Sequence, residues 1–201
     1  MDVINKVKNI LTSPKSYFKS LKKERGISNA FVYFVIVALI TLILPLIVSY
    51  FGAFKEFQEA FDILGFQSQT FLLFVILFSL FSYIFYLGFS FVIAGLLHIW
   101  ILIFGGKSEY SKTYQLFVYS STPGLLFGWI PFVGFLSGFY NLYLLIIGTP
   151  IIYKEISMKK SILMYIIPNV LVFILFLILF GAVFFIELQS ELGLVGKAFG
   201  F

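Results

Sequence analysis

Cysteine is absent from the chain, and histidine occurs once, at position 98. Disulfides, thiolate nucleophiles and cysteine metal sites are thereby excluded, and a metal site built on several imidazoles goes with them. No cofactor or metal is expected. Charge is the next scarcity: Asp, Glu, Lys and Arg make up 11% of the residues, against 61% hydrophobic ones. Soluble domains hold about 25% charged and roughly 45–50% apolar residues. One core cannot hide so much apolar surface, so the solvent has to be lipid. The opening residues also lack the apolar core and small-residue cleavage site of a signal peptide, and the N-terminus is expected to be retained.

Long uncharged runs are what the chain has instead. A span needs about 20 apolar residues to cross a hydrocarbon core of about 30 Å. Five segments meet this: 30–51, 70–104, 113–130, 132–153 and 162–186. The third and fourth come from one run, broken at Gly128, Trp129, Ile130 and Pro131. Residues 70–104 read as one long helix, tilted or protruding, because charge decides between one crossing and two. With five spans and a cytoplasmic N-terminus, every Lys and Arg except Lys55 and Lys197 falls inside. A sixth span would divide them almost evenly. The positive-inside bias therefore predicts an all-α, five-helix integral membrane bundle, N-terminus in the cytoplasm and C-terminus outside. Its domains are a basic amphipathic segment at 1–29, the membrane domain at 30–186 and an external tail at 187–201. The net charge of +5 marks topology here, not a nucleic-acid partner.

No Asp, Glu, Lys or Arg lies inside a predicted span, which argues against a charge-driven pump or proton-coupled transporter. No catalytic carboxylate pair, zinc signature or Gly-x-Ser-x-Gly elbow occurs, so an enzyme is not expected. Gly106, Lys107 and Ser108 lack the earlier glycine and the preceding strand of a phosphate-binding loop. In the N-terminal segment, Ser13 and Pro14 mark a helix start. Tyr17 and Phe18 give that helix an apolar side, and Lys15, Lys19, Lys22 and Lys23 give it charge. Such a helix suits an anchor lying in the interface of an anionic leaflet, or a docking surface for a cytosolic partner. His98, near the cytoplasmic end of the second span, suits an interhelical hydrogen bond or a polar ligand contact. In the third and fourth spans, Gly124 with Gly128 and Gly134 with Gly138 form small-xxx-small pairs that let helices approach. Pro123 predicts a kink, whose freed carbonyls the preceding hydroxyls can occupy. Tyr119, Ser120, Ser121, Thr122, Pro123, Asn141 and His98 are the candidates for a polar pocket or hinge at that kink.

The order of these features resembles a known family. Ser13, Pro14, Lys15, Ser16, Tyr17 and Phe18 precede five spans, with a histidine near the end of the second. A Gly105-Gly106 turn follows, then a third span carrying Tyr119, Ser120, Ser121, Thr122 and Pro123. This is similar to the Yip family, the Ypt/Rab-interacting membrane proteins and their prokaryotic Yip-domain relatives, over roughly residues 8–186. The resemblance implies a five-helix bundle, N-terminus in and C-terminus out. It implies a non-catalytic role in trafficking or membrane shaping, in the cell membrane for a prokaryotic-type member. Eukaryotic members carry a longer cytosolic N-terminal region and are linked to small GTPases; the shorter segment here argues against GTPase binding. The expected partners are the bilayer with its anionic lipids, further copies of the chain, or other membrane proteins. The alternative is a transporter or channel for a neutral or lipid-like molecule.

Overall fold

Two short helices precede the first long apolar stretch, and proline sets the boundary between them. In the computed structural model, which describes residues 2–51, 59, 63, 65 and 68–191, α1 is Val3–Thr12 and α2 is Pro14–Ser20. Asp2 caps α1, its Oδ1 accepting the Asn5 N–H at 3.0 Å. Pro14 has no N–H to continue α1, yet its fixed φ suits the first position of α2. A turn with Gly26 at φ 67° then leads into α3, Ser28–Phe51.

The second apolar run is one helix. Helix α4, Ser68–Ile103, has 36 residues and passes straight through Gly88. At 1.5 Å per residue it is about 54 Å long, well beyond a bilayer core. It ends where Gly105 turns left-handed at φ 86°, with the Gly105 N–H on Leu102 O and the Gly106 N–H on Ile101 O.

The third predicted span is not one helix. Helix α5, Tyr110–Ser120, stops at Ser121, and α6, Thr122–Phe127, restarts with Pro123 in its first turn. The predicted kink is thus a full break. Ser121 Oγ donates to Phe117 O across it, at 2.8 Å. The chain then reverses at residues 128–132. The Val133 N–H bonds to Pro131 O at 2.7 Å across Phe132, whose φ of 65° and ψ of −51° form a strained γ-turn. Helix α7, Val133–Ile152, follows, and α8 is Met158–Glu191.

The chain divides into one unit running to Ser161 and a second from Ile162. In the first, Tyr83 of α4 donates to Val35 O of α3, Ser90 meets Tyr114 of α5, and Thr41 donates to Leu125 O of α6. Helix α7 exposes Phe132, Val133, Phe135, Leu136, Phe139 and Tyr143, then is buried at Leu144, Ile147, Gly148 and Thr149. The cover there is α2: a Cβ on Gly148 would lie 3.1 Å from Phe18 and 2.6 Å from Leu116 of α5. In the second unit α8 exposes apolar residues on every side, from Leu163 to Leu188, and Phe176 stacks on Phe180 along it.

Among the described residues three helical segments are long and apolar enough to cross a membrane: Leu73–Ile103, Val133–Ile152 and Met158–Gln189. Ser28–Leu44 is a shorter apolar stretch. Among the described residues every regular element is a helix. Together these make an all-helical membrane protein. Residues 52–58 of the first loop and 192–201 of the predicted tail lie outside the described residues.

Candidate functional site

Polar side chains gather around α5, the most enclosed helix of the bundle. Thr113, Tyr114, Gln115, Tyr119 and Ser120 are all buried there. Groups removed from water in this way need partners inside the protein.

Tyr119 lies at the centre of the first group. Its hydroxyl donates to Glu24 Oε1 at 2.8 Å and accepts from Lys6 Nζ at 3.1 Å. Lys6 and Glu24 stand 3.8 Å apart. The Tyr119 ring packs edge-on against Tyr17 and Tyr33, with centroids at 5.1 and 5.2 Å. Tyr33 in turn shares a 2.9 Å hydrogen bond with Thr122. Burial pushes the Tyr17 phenol above its usual range, so it stays neutral against Tyr119 and Glu24. Ser120 beside them is buried, without a hydrogen-bond partner among the described residues.

The second group fastens the turn between α2 and α3. Lys112 Nζ donates to Leu21 O at 2.5 Å, to Glu24 O, and to Gln115 Oε1 at 3.3 Å. Gln115 Nε2 donates to Gly26 O at 2.6 Å. Burial draws the Lys112 ammonium below its usual range, while the Glu24 and Glu109 carboxylates hold it up. Its three acceptors match the three donors of an ammonium.

His98 belongs to a third, separate group. Its Nδ1 lies 2.6 Å from Thr113 Oγ1, and the same hydroxyl bonds Tyr153, while Tyr110 stands edge-on to the imidazole. The trio joins α4, α5 and the end of α7. It has the interhelical role expected of a lone intramembrane histidine.

The expected pocket residues are therefore divided. Tyr119 and Thr122 meet through Tyr33. His98 is with Thr113 and Tyr153. Asn141 Oδ1 accepts the Gly124 N–H at 3.0 Å and fastens α7 to α6. Pro123 is buried in the first turn of α6. An open cavity of about 460 Å³ lies elsewhere, between α3 and α4, and none of the expected residues lines it. Its walls are Ala38, Thr41, Leu42, Phe78, Phe81, Ser82, Tyr83, Phe85 and Tyr86.

Of the expected packing glycines, Gly124 sits directly against the Asn141 side chain, and a Cβ on Gly134 would lie 2.5 Å from Gly128 O. A Cβ on Gly128 would meet Gly124 O within its own turn, and one on Gly138 would meet nothing within 4 Å. The tight approaches that sequence reading missed are at Gly148 and at Gly106, where a Cβ would lie 2.9 Å from the Tyr153 ring.

The anchor helix also differs from its expected setting. Lys15, Lys19, Lys22 and Lys23 are exposed, but Tyr17 and Phe18 are 8% and 0% exposed and pack on protein rather than on lipid. Lys6, Glu24, Lys112 and Gln115 were not foreseen as one cluster. The available signal was Gln115, an amide one turn inside an otherwise apolar run, which has to find a partner when buried.

Among the described residues no three His, Asp or Glu side chains converge as metal ligands would. A family model described as the Yip1 domain matches residues 8–180 of the chain. No curated protein and no solved structure matches it.

Proposed function

The chain belongs to the Yip1 domain family, and from that premise we propose that it is a non-catalytic multi-pass protein organising a membrane or its partner proteins. The observation that carries this reading is where the polar groups of α5, α6 and α7 go. Thr113, Gln115, Tyr119, Thr122 and Asn141 all pair with neighbouring helices or with the N-terminal segment, and none of them lines the open cavity. Such a bundle presents lipid and partners with outer surfaces and offers a substrate little polar chemistry.

In this reading the chain crosses the cytoplasmic membrane five times, N-terminus inside, with α5 and α6 together forming the third crossing. Self-association, or association with other membrane proteins, occurs through the apolar helices. Crosslinking in native membranes followed by mass spectrometry should capture further copies or other membrane proteins, and a reporter fused after Phe201 should be active outside. A bare monomer, or a cytosolic reporter, would count against organiser or topology respectively. Deleting residues 2–25 is a poor test, because it strips Ile10, Tyr17, Phe18 and Leu21 from the core.

One observation favours a second reading, passage or holding of a lipid-like molecule. The cavity between α3 and α4 is apolar, and Thr41, Ser82, Tyr83 and Tyr86 are among the residues that line it. That composition suits an acyl chain with a weakly polar end. Flux or lipid-scrambling assays in proteoliposomes that stay negative across neutral solutes and lipids would dispose of it.

A further inference from the structure

The docked N-terminal helices present cations and neutral polar groups outward, with Ile4 of α1 the one large apolar side chain exposed among them. Tyr17, Phe18, Leu21 and Ile10 are turned into the bundle. Lys8, Lys15, Lys19, Lys22, Lys23 and Arg25 are all exposed. The two acids of the segment are engaged locally: Asp2 caps α1, and Glu24 holds Tyr119 and Lys6. Asp2 is the one exposed acid of the segment, against six exposed cations.

Its position along α7 says what it faces. The exposed strip of α7 is apolar up to Phe139, ends in Tyr143, and then gives way to residues covered by α2. Tyr140 at this boundary donates to Leu11 O at 2.7 Å, between α1 and α2. Tyrosines collect at headgroup level, where apolar surface ends. The basic helices therefore begin where the lipid-facing strip stops.

From this we infer that α1 and α2 form a rigid cationic plate that binds the acidic phospholipid headgroups of the surrounding leaflet without inserting into it. The inference rests on the membrane topology proposed above and names the partner of its basic face. Insertion is opposed because Ile10, Tyr17, Phe18 and Leu21, the larger part of the apolar side an inserting helix would use, are already buried in the bundle, which leaves only Ile4 fully outside it. Headgroup binding remains, as the attraction of each lysine to an anionic surface, and it weakens with salt.

The full chain reconstituted in nanodiscs of phosphatidylcholine and phosphatidylserine tests this, with the lipids retained around it counted by mass spectrometry. The wild type should hold a several-fold excess of phosphatidylserine over the bulk ratio at low salt, and lose it at high salt. The variant Lys15→Gln/Lys19→Gln/Lys22→Gln/Lys23→Gln should return to the bulk ratio. The variant Lys107→Gln/Lys154→Gln/Lys159→Gln/Lys160→Gln should keep most of the excess. Equal excess in the wild type and the first variant overturns the plate, as does a salt-insensitive excess or none at all. Because the chain has no cysteine, Leu11→Cys with Tyr140→Cys, where Tyr140 reaches Leu11 O at 2.7 Å, reports docking through a short bismaleimide. Crosslinking in native membranes supports the docked, non-inserting helix, and its absence overturns it. The wild-type salt response needs no variant to fold. Partner capture and the reporter after Phe201 read the proposed function independently, so either idea can fail alone.

Discussion

Tyr119 is the residue on which most of the N-terminal docking converges. One phenol serves a carboxylate and an ammonium at once, inside a ring cluster that excludes water. A hydrogen bond to a charged group contributes about 1.5–3 kcal/mol. The Lys6–Glu24 pair at 3.8 Å, on partly exposed side chains, contributes less than about 1 kcal/mol. Tyr119→Phe should therefore lower the thermal midpoint of the purified protein more than Lys6→Met does. The reverse order would mean that the ion pair, not the phenol, holds the segment. None of this was legible from residue types alone. Glu24 lies in a charged stretch that reads as solvated, and only the fold brings it beneath a tyrosine 95 positions away.

At the scale of elements, two glycine-related positions make opposite predictions. Gly148 lets α2 lie directly on α7, and a larger side chain there meets Phe18 and Leu116. Gly148→Val should cost about 1–3 kcal/mol by overpacking. It should also speed tryptic cleavage after Lys15 and Lys19 as α2 loosens; unchanged cleavage would show that α2 is held elsewhere. Phe132 shows the converse, a bulky residue in a backbone conformation that glycine adopts freely. Strain of this kind costs on the order of 1–3 kcal/mol, partly offset by the extra freedom glycine gives the unfolded chain. Phe132→Gly should raise the thermal midpoint, and a drop would mean that the exposed ring contributes more than its backbone loses. The element boundaries themselves were largely readable. Pro14 and Pro123 remove backbone donors wherever they stand, and the uninterrupted α4 followed from the distribution of charge. What α2 packs against was not readable, because an apolar stripe beside lysines looks the same whether its partner is lipid or a neighbouring helix.

At the scale of the molecule, three segments among the described residues match the length and composition of bilayer crossings, and Ser28–Leu44 of α3 adds a shorter apolar stretch. Composition alone settled that the solvent is lipid and that the fold is helical. It could not reveal that α5 and α6 are separate helices, since a polar run buried by neighbours carries no simple periodic signal. The exposed strip of α7 has a physical consequence for the bilayer beside it. From Phe132 to Tyr143 it covers about 18 Å along the helix, whereas the hydrocarbon is about 30 Å thick. Lipids touching that strip must shorten or tilt their tails to meet it, while those along the far longer α4 are under no such demand. In the proposed topology the leaflets are pinched beside α7. The protein should then unfold at higher temperature in short-tailed lipids than in long-tailed ones, and elastic relief of the pinch would draw such molecules together.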